Sequence, residues 1–415
     1  MLKDTRLINK RKVINDPVYG FISLRHEIIF DLMEHPWFQR LRRIKQLGLS
    51  HFVYPGAMHT RFSHALGAMH LMGMAIDSLR SKGVEISLEE DEALCIAILL
   101  HDIGHGPFSH ALENALIKKV HHERVGLAIM NKLNRHFHGR LDLAIQIFLN
   151  HYSRKFMHQL VSSQLDIDRM DYLTRDSFFT GVNEGIIGYD RLLKMMSVKD
   201  DQLVWEEKGI HSIEKFILSR SIMYWQVYMH KTVLSAEFLI IDLLKRAQEL
   251  VDAGHDLPAS PMLKWFMEHQ PDDDTLENDP EVLNRFLMLD DSDVLVSCKM
   301  WISHTDPTLR CLANKLLDRD LHQVILSNQP FAPLNLEKWK KSVEEMNAEV
   351  ITSYLFATGM VENDVYNPAK GAIKILQKDG RIVDFAEVST HMRHLLEEKN
   401  VVKHYVYLPK GCASS

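Results

Sequence analysis

The chain contains 415 residues, of which 46% are hydrophobic and 25% are charged, and its formal net charge at pH 7 is −6. This length exceeds the usual limit for one hydrophobic core, which predicts two regions, and the acidic balance argues against general nucleic-acid binding. The four cysteines have no CxxC spacing, no apolar run is long enough to cross a membrane, and the N-terminus lacks a signal-peptide segment, so we expect a cytoplasmic protein with reduced thiols.

The predicted elements of the first half are nearly all helical. Residues 15–20 are typical of a turn, and residues 21–24 of a short strand beside it. Apolar residues then recur at helical spacing over 27–47, where Pro36 is expected to separate two helices. Another helix is expected near 60–79, and further ones at 89–102, 107–119, 122–134, 140–149, 154–163 and 165–176.

The second half mixes helices with strands. Residues 180–210 look irregular, with one short strand at 201–206, and a single long helix is expected over 212–253. After an acidic break at 270–274, helical patterns continue to Leu326. Strand-like runs at 371–376, 381–385 and 401–408 accompany one predicted helix at 391–399. We therefore expect a mainly α fold, with one region over 1–255 and a helical plus α+β C-terminal lobe over 256–415.

The most informative segment is the histidine-rich sequence from His101 to His110. It follows the apolar run 93–100, which is typical of a buried helix and ends in adjacent histidine and aspartate residues. A carboxylate buried without a partner is costly, so such a pair usually binds a metal or a counter-charge. Nine of the 24 histidines lie between His51 and His122. This clustering indicates a site, whereas a lone histidine such as His51 or His70 is more often part of the core.

Three segments offer metal ligands, at 61–64, 101–102 and 166–172. Imidazole and carboxylate groups together suit a divalent ion, but they do not distinguish Mn, Fe, Ni, Zn and Mg. Such an ion can activate water and orient a phosphate ester at the same time. The residues therefore predict metal-assisted chemistry and leave the substrate open.

At these residues the sequence resembles the HD-domain phosphohydrolases, and within them the deoxynucleoside triphosphate triphosphohydrolase branch. The resemblance covers about the first 240 residues and is much weaker in the C-terminal part. It is carried by the segments 12–17, 38–42, 44–48, 55–57, 61–64, 101–110, 166–168, 171–172 and 175–176. It implies an HD-domain helical core whose metal site lies within about residues 50–180.

By this resemblance, one divalent metal is held by four ligands, namely His64, His101, Asp102 and Asp168. The same resemblance allows Mg²⁺ to accompany the nucleotide. His105 is expected beside the scissile α-phosphate, as an acid or an electrostatic stabiliser. The remaining catalytic positions are Arg61 as a clamp on the triphosphate, His110 as a phosphate contact, His122 near the leaving group, and Glu113, where the branch usually carries aspartate.

Two stripes of residues suggest how a nucleotide would bind. Asp168, Tyr172 and Asp176 recur at i, i+4 and i+8 and share one helix face, which by spacing alone is also typical of a solvated surface. The second stripe, which is also compatible with an ordinary amphipathic helix, contains Arg220, Tyr224, Tyr228 and Lys231. The resemblance assigns substrate contacts to both stripes and adds Gln46, Leu47 and Arg169, with Gln46 and Asp176 around a 3′-hydroxyl.

The resemblance also implies a regulatory nucleotide site between subunits, and hence a homo-oligomer, either a dimer or a tetramer. Its residues would be Val13, Asn15, Gln39 and Arg42. The charge run at 40–45 by itself is more typical of a solvated helix face. The expected reaction is hydrolysis of a dNTP at the α-phosphate, and no membrane partner is expected. The alternatives are another HD nucleotide phosphohydrolase, such as a 5′-nucleotidase or a phosphodiesterase, and a non-catalytic nucleotide sensor.

Overall fold

The computed structural model describes residues 12–108, 121–363, 366, 371–389 and 401–413. The predicted helix at 391–399 and most of the one at 107–119 lie outside these residues, as do His110 and Glu113. Across the ranges that are described, no helix is both long and apolar enough to cross a membrane.

The first half begins with a hairpin and continues as helices. Strands β1 (Val13–Asp16) and β2 (Gly20–Ser23) pair antiparallel. The helices are α1 (Glu27–Glu34), α2 (Pro36–Gln39), α3 (Arg61–Ser81), α4 (Leu88–Leu100), α5 (His122–His136), α6 (Asp142–Phe148), α7 (Lys155–Val161), α8 (Ile167–Thr180) and α9 (Tyr189–Met195). Short 3₁₀ turns lie at Arg40–Arg43 and Ser50–Phe52. Pro36 begins α2, which confirms the predicted helix break.

The second half alternates strands and helices. Strands β3 (Met196–Lys199) and β4 (Gln202–Glu206) precede α10 (Ile210–Met223), a π turn (Tyr224–Tyr228) and α11 (Lys231–Asp252). There follow α12 (Pro261–His269), α13 (Asp273–Asn278), α14 (Pro280–Phe286), α15 (Asp291–Trp301), α16 (Pro307–Leu317), β5 (Gln323–Ser327), α17 (Pro333–Met346), β6 (Ala357–Asn363), β7 (Lys374–Leu376), β8 (Ile382–Asp384), α18 (Phe385–Val388) and β9 (Val401–Leu408). The mainly α fold with a smaller strand-containing C-terminal region is confirmed.

The C-terminal strands belong to two small sheets, and one of these sheets also contains strands from the first half of the chain. Strands β3, β4, β7 and β8 form one sheet in that order, with β4 and β7 parallel. Strands β5, β9 and β6 form an antiparallel sheet. Because β4 precedes residue 255 and β7 follows it, the predicted division of the chain near that residue crosses a continuous sheet.

Helices α3 and α4 lie at the centre of the core. Every residue of the apolar run 93–100 in α4 is buried, as the sequence predicts. A capping box begins this helix: the Glu90 N–H donates to Ser87 Oγ, and the Ser87 N–H donates to the Glu90 carboxylate. Since α3 packs against both α4 and α8, side chains near the ends of all three helices can meet.

The single long helix predicted over 212–253 is wrong, because the structure divides it into α10 and α11. In the π turn between them, the Met229 N–H donates to Tyr224 O at 2.6 Å, five residues back. His230 is then extended, and its Nδ1 accepts the Thr232 N–H at 3.2 Å, which caps α11. The apolar pattern continues across this break, so periodicity alone does not reveal it.

Two further expectations are wrong. The helical pattern expected up to Leu326 ends at α16, because residues 323–327 form β5, whose branched apolar side chains suit a strand paired with β9. The charge run at 40–45 favours a solvated face, which Arg42 and Arg43 occupy, but the Arg40 side chain is completely buried. It donates from Nε to Leu289 O and from Nη2 to His105 O, both at 2.8 Å, and its Nη1 has no hydrogen-bond partner among the described residues.

Candidate metal centre and active site

Two histidines and two aspartates from three segments meet in the core. His64 Nε2 and His101 Nε2 lie 3.1 and 3.3 Å from Asp168 Oδ1, and 3.4 Å from each other. Asp102 borders this group, with Oδ1 3.5 Å from His101 Nε2 and Oδ2 3.8 Å from His64 Nε2. The structure therefore brings together all four predicted metal ligands.

Helix ends position these side chains. His64 lies in the first turn of α3, His101 and Asp102 directly follow α4, and Asp168 lies in the first turn of α8. The buried carboxylate of Asp166 caps α8 by accepting the Arg169 N–H at 2.8 Å, and it also accepts the N–H of Ser163, which precedes the helix, at 2.7 Å. Because each ligand sits at a fixed helix end, the group is held in place by secondary structure rather than by loops alone.

A series of buried charged side chains begins at Nδ1 of His64, the ring nitrogen that does not face Asp168. Its Nδ1 donates to Asp171 Oδ2 at 2.7 Å, and Asp171 Oδ2 also accepts from Arg175 Nε at 3.0 Å. Arg175 Nη1 in turn donates to Asp16 Oδ2, in β1, at 2.8 Å. A carboxylate behind a ligating imidazole fixes its tautomer and raises its basicity, and here it leaves His64 Nε2 available to a metal.

His101 is oriented in the same way, since its Nδ1 donates to Ile98 O at 2.6 Å. Both Nε2 atoms thus face Asp168, and this set of nitrogen and oxygen donors fits a divalent ion without selecting one. Burial lowers the pKa of His64, but the hydrogen bonds with Asp168 and Asp171 outweigh it and raise that pKa to about 10. A ligating imidazole must be neutral, so an ion that binds here displaces a proton.

Asp102 lies between a guanidinium and an imidazole. Arg61 Nη1 donates to its Oδ2 at 2.5 Å, and His105 Nε2 lies 3.2 Å from its Oδ1. Burial opposes ionisation, yet His101, His105 and Arg61 bring the pKa of Asp102 well below its usual range. Burial and the charge of Arg61 lower the pKa of His105 to about 3. His105 is therefore neutral, and since an ionised carboxylate only accepts hydrogen bonds, its proton lies on Nε2.

Several predicted site residues carry buried polar atoms that lack a hydrogen bond. His105 stacks on His122 with ring centroids 3.9 Å apart, and its Nδ1 has no partner in the described part of the chain. The same holds for Gln46 Oε1, Arg169 Nε and Arg220 Nε. Buried polar atoms without partners are uncommon in folded proteins, so these four indicate positions that a bound molecule or ordered water completes.

Asp176 forms the other end of the predicted site, two turns along α8 from the ligand aspartate. His59 Nε2 lies 2.8 Å from its Oδ1, and the Tyr228 O–H donates to its Oδ2 at 2.7 Å. The rings of Tyr172 and Tyr224 lie 6.3 and 5.3 Å from the Tyr228 ring. The two predicted stripes therefore meet at the hydrogen bond between Asp176 and Tyr228.

The other predicted substrate-binding residues lie in different surroundings: two are hydrogen-bonded arginines, one packs against the core, and one lines another cavity. Arg169 Nη1 donates to the carboxylate that caps α8 at 2.6 Å, and Arg220 Nη1 donates to Gln164 Oε1 at 3.3 Å. Leu47 is half-buried against the core. The helical spacing that placed Lys231 in a stripe does not hold, because the π turn precedes it. Lys231 lines a separate cavity of about 270 Å³ together with Arg319, His322 and Lys410.

The residues predicted for a regulatory site lie at the surface or near it. Val13 and Asn15 are exposed on β1. Gln39 Oε1 accepts from Arg42 Nε at 2.8 Å, and the Arg42 guanidinium lies 3.5 Å from the centre of the Phe62 ring. Polar side chains are thus available on this face, and a regulatory role for them stays a prediction.

Sequence analysis did not assign a role to His59, Asp171 or Arg175. The last two lie at i and i+4 on one helix, and this spacing could have indicated their ion pair. His59 offers no such signal, since Asp176, the residue it contacts, lies 117 positions further along the chain. Contacts of this kind become visible only once the helices are packed.

A second group that could in principle ligate a metal, His26, Asp91 and Cys95, has a different character. Asp91 accepts from Arg25 Nη2 at 3.0 Å and from Arg80 Nη1 at 2.7 Å. Burial raises the pKa of the Cys95 thiol, which keeps it protonated. Two guanidinium groups already supply the positive charge, so this cluster is an ion-pair network that joins helices.

Comparison with known proteins agrees with this geometry. Residues 61–176 match the family model described as HD domain, and residues 187–256 match the one described as HD associated region. The chain is 32% identical to the uncharacterised protein YwfO of Bacillus subtilis, over 97% of this chain and 93% of that protein. The crystal structure of a phosphohydrolase from Bacteroides thetaiotaomicron superposes with a TM-score of 0.92 at 45% identity, and the match covers 96% of this chain and 100% of that one. The chain therefore belongs to the HD-domain phosphohydrolase family.

Among its relatives are proteins named deoxynucleoside triphosphate triphosphohydrolase SAMHD1. The Dictyostelium discoideum homolog is 32% identical over 59% of this chain, and the human protein is 28% identical over 59%. The match covers 51% of the Dictyostelium protein and 46% of the human protein, so this chain spans about half the length of these two relatives.

Proposed function

We propose that this protein hydrolyses dNTPs to deoxynucleoside and triphosphate, with one divalent metal held by His64, His101, Asp102 and Asp168. The observation that carries the proposal is that Asp176, which accepts a hydrogen bond from Tyr228, lies on the same helix as Asp168, two turns away. Eight residues of α-helix rise by about 12 Å, and residues at this spacing lie on one side of the helix. One rigid helix thus offers a metal ligand at one end and a sugar-hydroxyl acceptor at the other.

At the phosphate end of the site, a bound metal ion and three arginines offset the negative charge of a triphosphate. A bound divalent ion supplies positive charge that polarises the ester and lowers the pKa of a water molecule. Arg61, held beside Asp102, offsets further negative charge, and the unpaired Nε atoms of Arg169 and Arg220 are available to phosphate oxygens.

His105 requires a change of protonation to act as an acid. In the ligand-free state it is neutral, with its proton on Nε2 and an unpaired acceptor at Nδ1. It can therefore take up a proton at Nδ1 from solvent when the triphosphate binds and then give it to the leaving 5′-oxygen, while the attacking water loses its proton to solvent. The negative charge of a bound triphosphate shifts the pKa of His105 upwards, which is the direction that this role needs.

The sugar end of the site favours a deoxyribose. A 3′-hydroxyl has one proton, which the Asp176 carboxylate or the unpaired amide oxygen of Gln46 can accept, and its oxygen can accept from the Gln46 NH₂ group. Tyr228, fixed by its hydrogen bond to Asp176, packs against the sugar and leaves no room for a 2′-hydroxyl. This arrangement distinguishes a dNTP from an NTP by shape, without a dedicated hydrogen bond.

The proposal is tested with metal-stripped full-length protein, a panel of dNTPs and NTPs, and added Mn²⁺ or Mg²⁺. We expect equimolar release of deoxynucleoside and triphosphate, and its loss together with bound metal in Asp168→Ala. His255→Ala, an exposed histidine outside the site, is the control and keeps full activity. Release of phosphate or pyrophosphate would indicate another nucleotide phosphohydrolase, and binding without turnover would indicate a sensor. Either result overturns the proposal.

Replacement of His105 tests the proton-transfer role separately from metal binding. Proton transfer by a positioned side chain typically contributes about 10²–10⁴-fold, so His105→Ala is expected to lower kcat by roughly that factor. The variant should bind as much metal as the wild-type protein, which elemental mass spectrometry measures. A variant with unchanged kcat would exclude His105 from the reaction.

We also propose that Val13, Asn15, Gln39 and Arg42 belong to a regulatory nucleotide site in a homo-oligomer. Light scattering after size exclusion, with and without nucleotide, measures the oligomer. Full activity with a single purified dNTP and no second nucleotide would contradict an obligatory activator.

A further inference from the structure

Residues 289–291, here called the junction, are the two residues that precede α15 and the first residue of α15, and they contact two segments of the proposed active site. Arg40 reaches them through its Nε, which donates to Leu289 O, while its Nη2 donates to His105 O. One planar guanidinium thus ties this junction to the backbone of the proposed catalytic histidine. The junction lies outside both family matches, which end at residue 256.

Asp291, at the end of the junction, binds two backbone segments at once. Its Oδ1 accepts the Phe108 N–H at 3.2 Å, and its Oδ2 accepts the Lys45 N–H at 3.0 Å. Phe108 lies in the turn three residues after His105, whereas Lys45 directly precedes Gln46. The side chain of Asp291 is almost fully buried, so water does not readily replace either hydrogen bond.

Phe108 needs such support because its backbone is strained. Its φ angle is +49°, in the left-handed region that residues other than glycine rarely adopt. Strained residues persist only where the surrounding structure holds them, and they concentrate at functional sites. Its ring packs against Gly48, and its N–H is held by Asp291. The conformation of this turn therefore depends on a residue far away in the sequence.

We propose that Asp291 is a positioning residue, which together with Arg40 fixes His105 relative to Gln46. The inference rests on the proposed function, in which His105 acts at the phosphate and Gln46 binds the sugar. It assigns part of the site geometry to the C-terminal lobe, whose role the sequence left open.

The chemistry of the side chain explains why a carboxylate is needed here. Both oxygens of Asp291 accept hydrogen bonds, so one side chain satisfies two N–H groups from different segments. Asparagine has the same shape, but it offers one acceptor oxygen and one NH₂ group, whose hydrogens would face a backbone N–H. Asp291→Asn therefore removes one of the two hydrogen bonds without creating a cavity.

The neighbouring Asp290 provides a matched control. It caps α15 by accepting the Ser292 N–H at 2.9 Å, and it pairs with the half-exposed Arg43. Asparagine caps a helix about as well as aspartate. The carboxylates of Asp290 and Asp291 both raise the pKa of the buried Arg40, so each variant loses one of these two charges. Asp290→Asn thus makes the same chemical change one residue away, and it leaves both backbone hydrogen bonds of Asp291 intact.

Hydrogen exchange followed by mass spectrometry tests the proposal without relying on activity. We expect faster exchange in Asp291→Asn, but not in Asp290→Asn, for peptides that cover 44–48 and 101–108. Exchange over 167–180 and the affinity for Mn²⁺ should stay the same in both variants. Equal exchange in the two variants overturns the proposal, and so does a general loss of protection across the protein.

Kinetics provides the second measurement. We expect kcat of Asp291→Asn to fall roughly 10- to 100-fold, as for a misplacement of about 1 Å, with melting temperature and metal content equal to those of Asp290→Asn. Asp291→Glu keeps two acceptor oxygens and should recover part of the loss. Equal kcat in all three variants overturns the proposal. A wild-type protein that hydrolyses no nucleotide refutes the proposed function instead, and the exchange measurement still tests the positioning role.

Discussion

Asp171 contacts no predicted substrate-binding residue, but it accepts a hydrogen bond from His64, a proposed metal ligand. In Asp171→Asn the imidazole faces an amide in place of a carboxylate, which lowers its basicity and loosens its orientation. Loss of such an outer partner typically costs 10- to 100-fold in metal affinity, so we expect the Kd for Mn²⁺ to rise by about that factor. Titration calorimetry measures it, with the exposed Asp190→Asn as control. An unchanged Kd would contradict the supporting role.

Metal binding should also depend on pH in a defined direction. In the metal-free protein the pKa of His64 is raised to about 10, above its usual 6.5, so His64 carries a proton at neutral pH. An ion must displace this proton, so affinity rises with pH, by about tenfold per unit for one proton, up to the raised pKa. The stability of the metal-free protein depends on pH in the opposite direction to its metal affinity. The protonated His64 contributes fully to the free energy of unfolding below pH 6.5, and this contribution is lost as the pH rises towards 10.

Titrations with Mn²⁺ at pH 6.5, 7.5 and 8.5 check this expectation. Repeating them in buffers of different ionisation enthalpy counts the protons released per ion bound. A Kd that is constant over this range, with no proton release, would show that the imidazole is already neutral before the metal arrives.

Individual residues differ in how well the sequence predicts them. His101 and Asp102 are adjacent and follow an apolar run, so their burial together is readable from local pattern alone. Asp291 lies 183 positions from Phe108 and 246 from Lys45, and its role depends entirely on how distant segments pack. Arg40 illustrates the opposite error, since a basic run suggested solvent where the structure has a buried guanidinium.

At the scale of elements, helix α5 and the turn after α4 approach each other without side chains between them. A Cβ atom placed on Gly104 would lie 2.1 Å from His122 O and 2.4 Å from Gly126 N, both rigid backbone atoms. Gly104→Ala is therefore expected to separate these elements and break the His105–His122 stack. Overpacking of this kind typically costs about 1–3 kcal/mol.

Gly126→Ala is the natural control, because its added methyl group meets nothing nearer than 3.6 Å. Chemical unfolding of the two variants measures the difference in stability, and we expect Gly126→Ala to stay close to the unchanged protein. If both variants unfold at the same denaturant concentration, the short distance between Gly104 and α5 does not limit how these two segments pack.

The sequence predicts helices with a strong apolar periodicity well, but it does not predict where a helical pattern is broken. Helices α3, α4 and α8 lie where the apolar spacing places them, to within a few residues at their ends. The π turn at Tyr224–Tyr228 is missed, because it preserves the apolar pattern on both sides while changing which residues face the site. β5 is missed because its short branched segment follows a helix and fits either structure, and its pairing with β9 decides between them.

At the scale of the whole molecule, the two predicted regions share many contacts. One hydrophobic cluster contains residues from both sides of position 255. Arg246 Nη2 donates to Asp306 Oδ2 at 2.6 Å, and Arg319 Nε donates to Phe52 O at 2.8 Å. A chain of residues 1–255 would expose the edge of β4 and the apolar face of α11.

We therefore expect the full chain to unfold in one cooperative transition, and the 1–255 fragment to be insoluble or unable to bind metal. Calorimetric unfolding compares the measured enthalpy with the van't Hoff value, and equality indicates a single transition. A soluble fragment that binds Mn²⁺ with the affinity of the full chain would support two independent regions.

The hairpin at the start of the chain has a consequence for any measurement of regulation. Asp16 lies on the same strand as Val13 and Asn15, and it ends the series of charges that passes through Arg175 and Asp171 to His64. Two binding events that act on one such series obey reciprocity: a ligand that alters metal affinity by some factor has its own affinity altered by the metal by that same factor. Under the proposed regulatory role of the hairpin, metal content and nucleotide occupancy therefore belong to one thermodynamic cycle, and neither stays constant while the other changes.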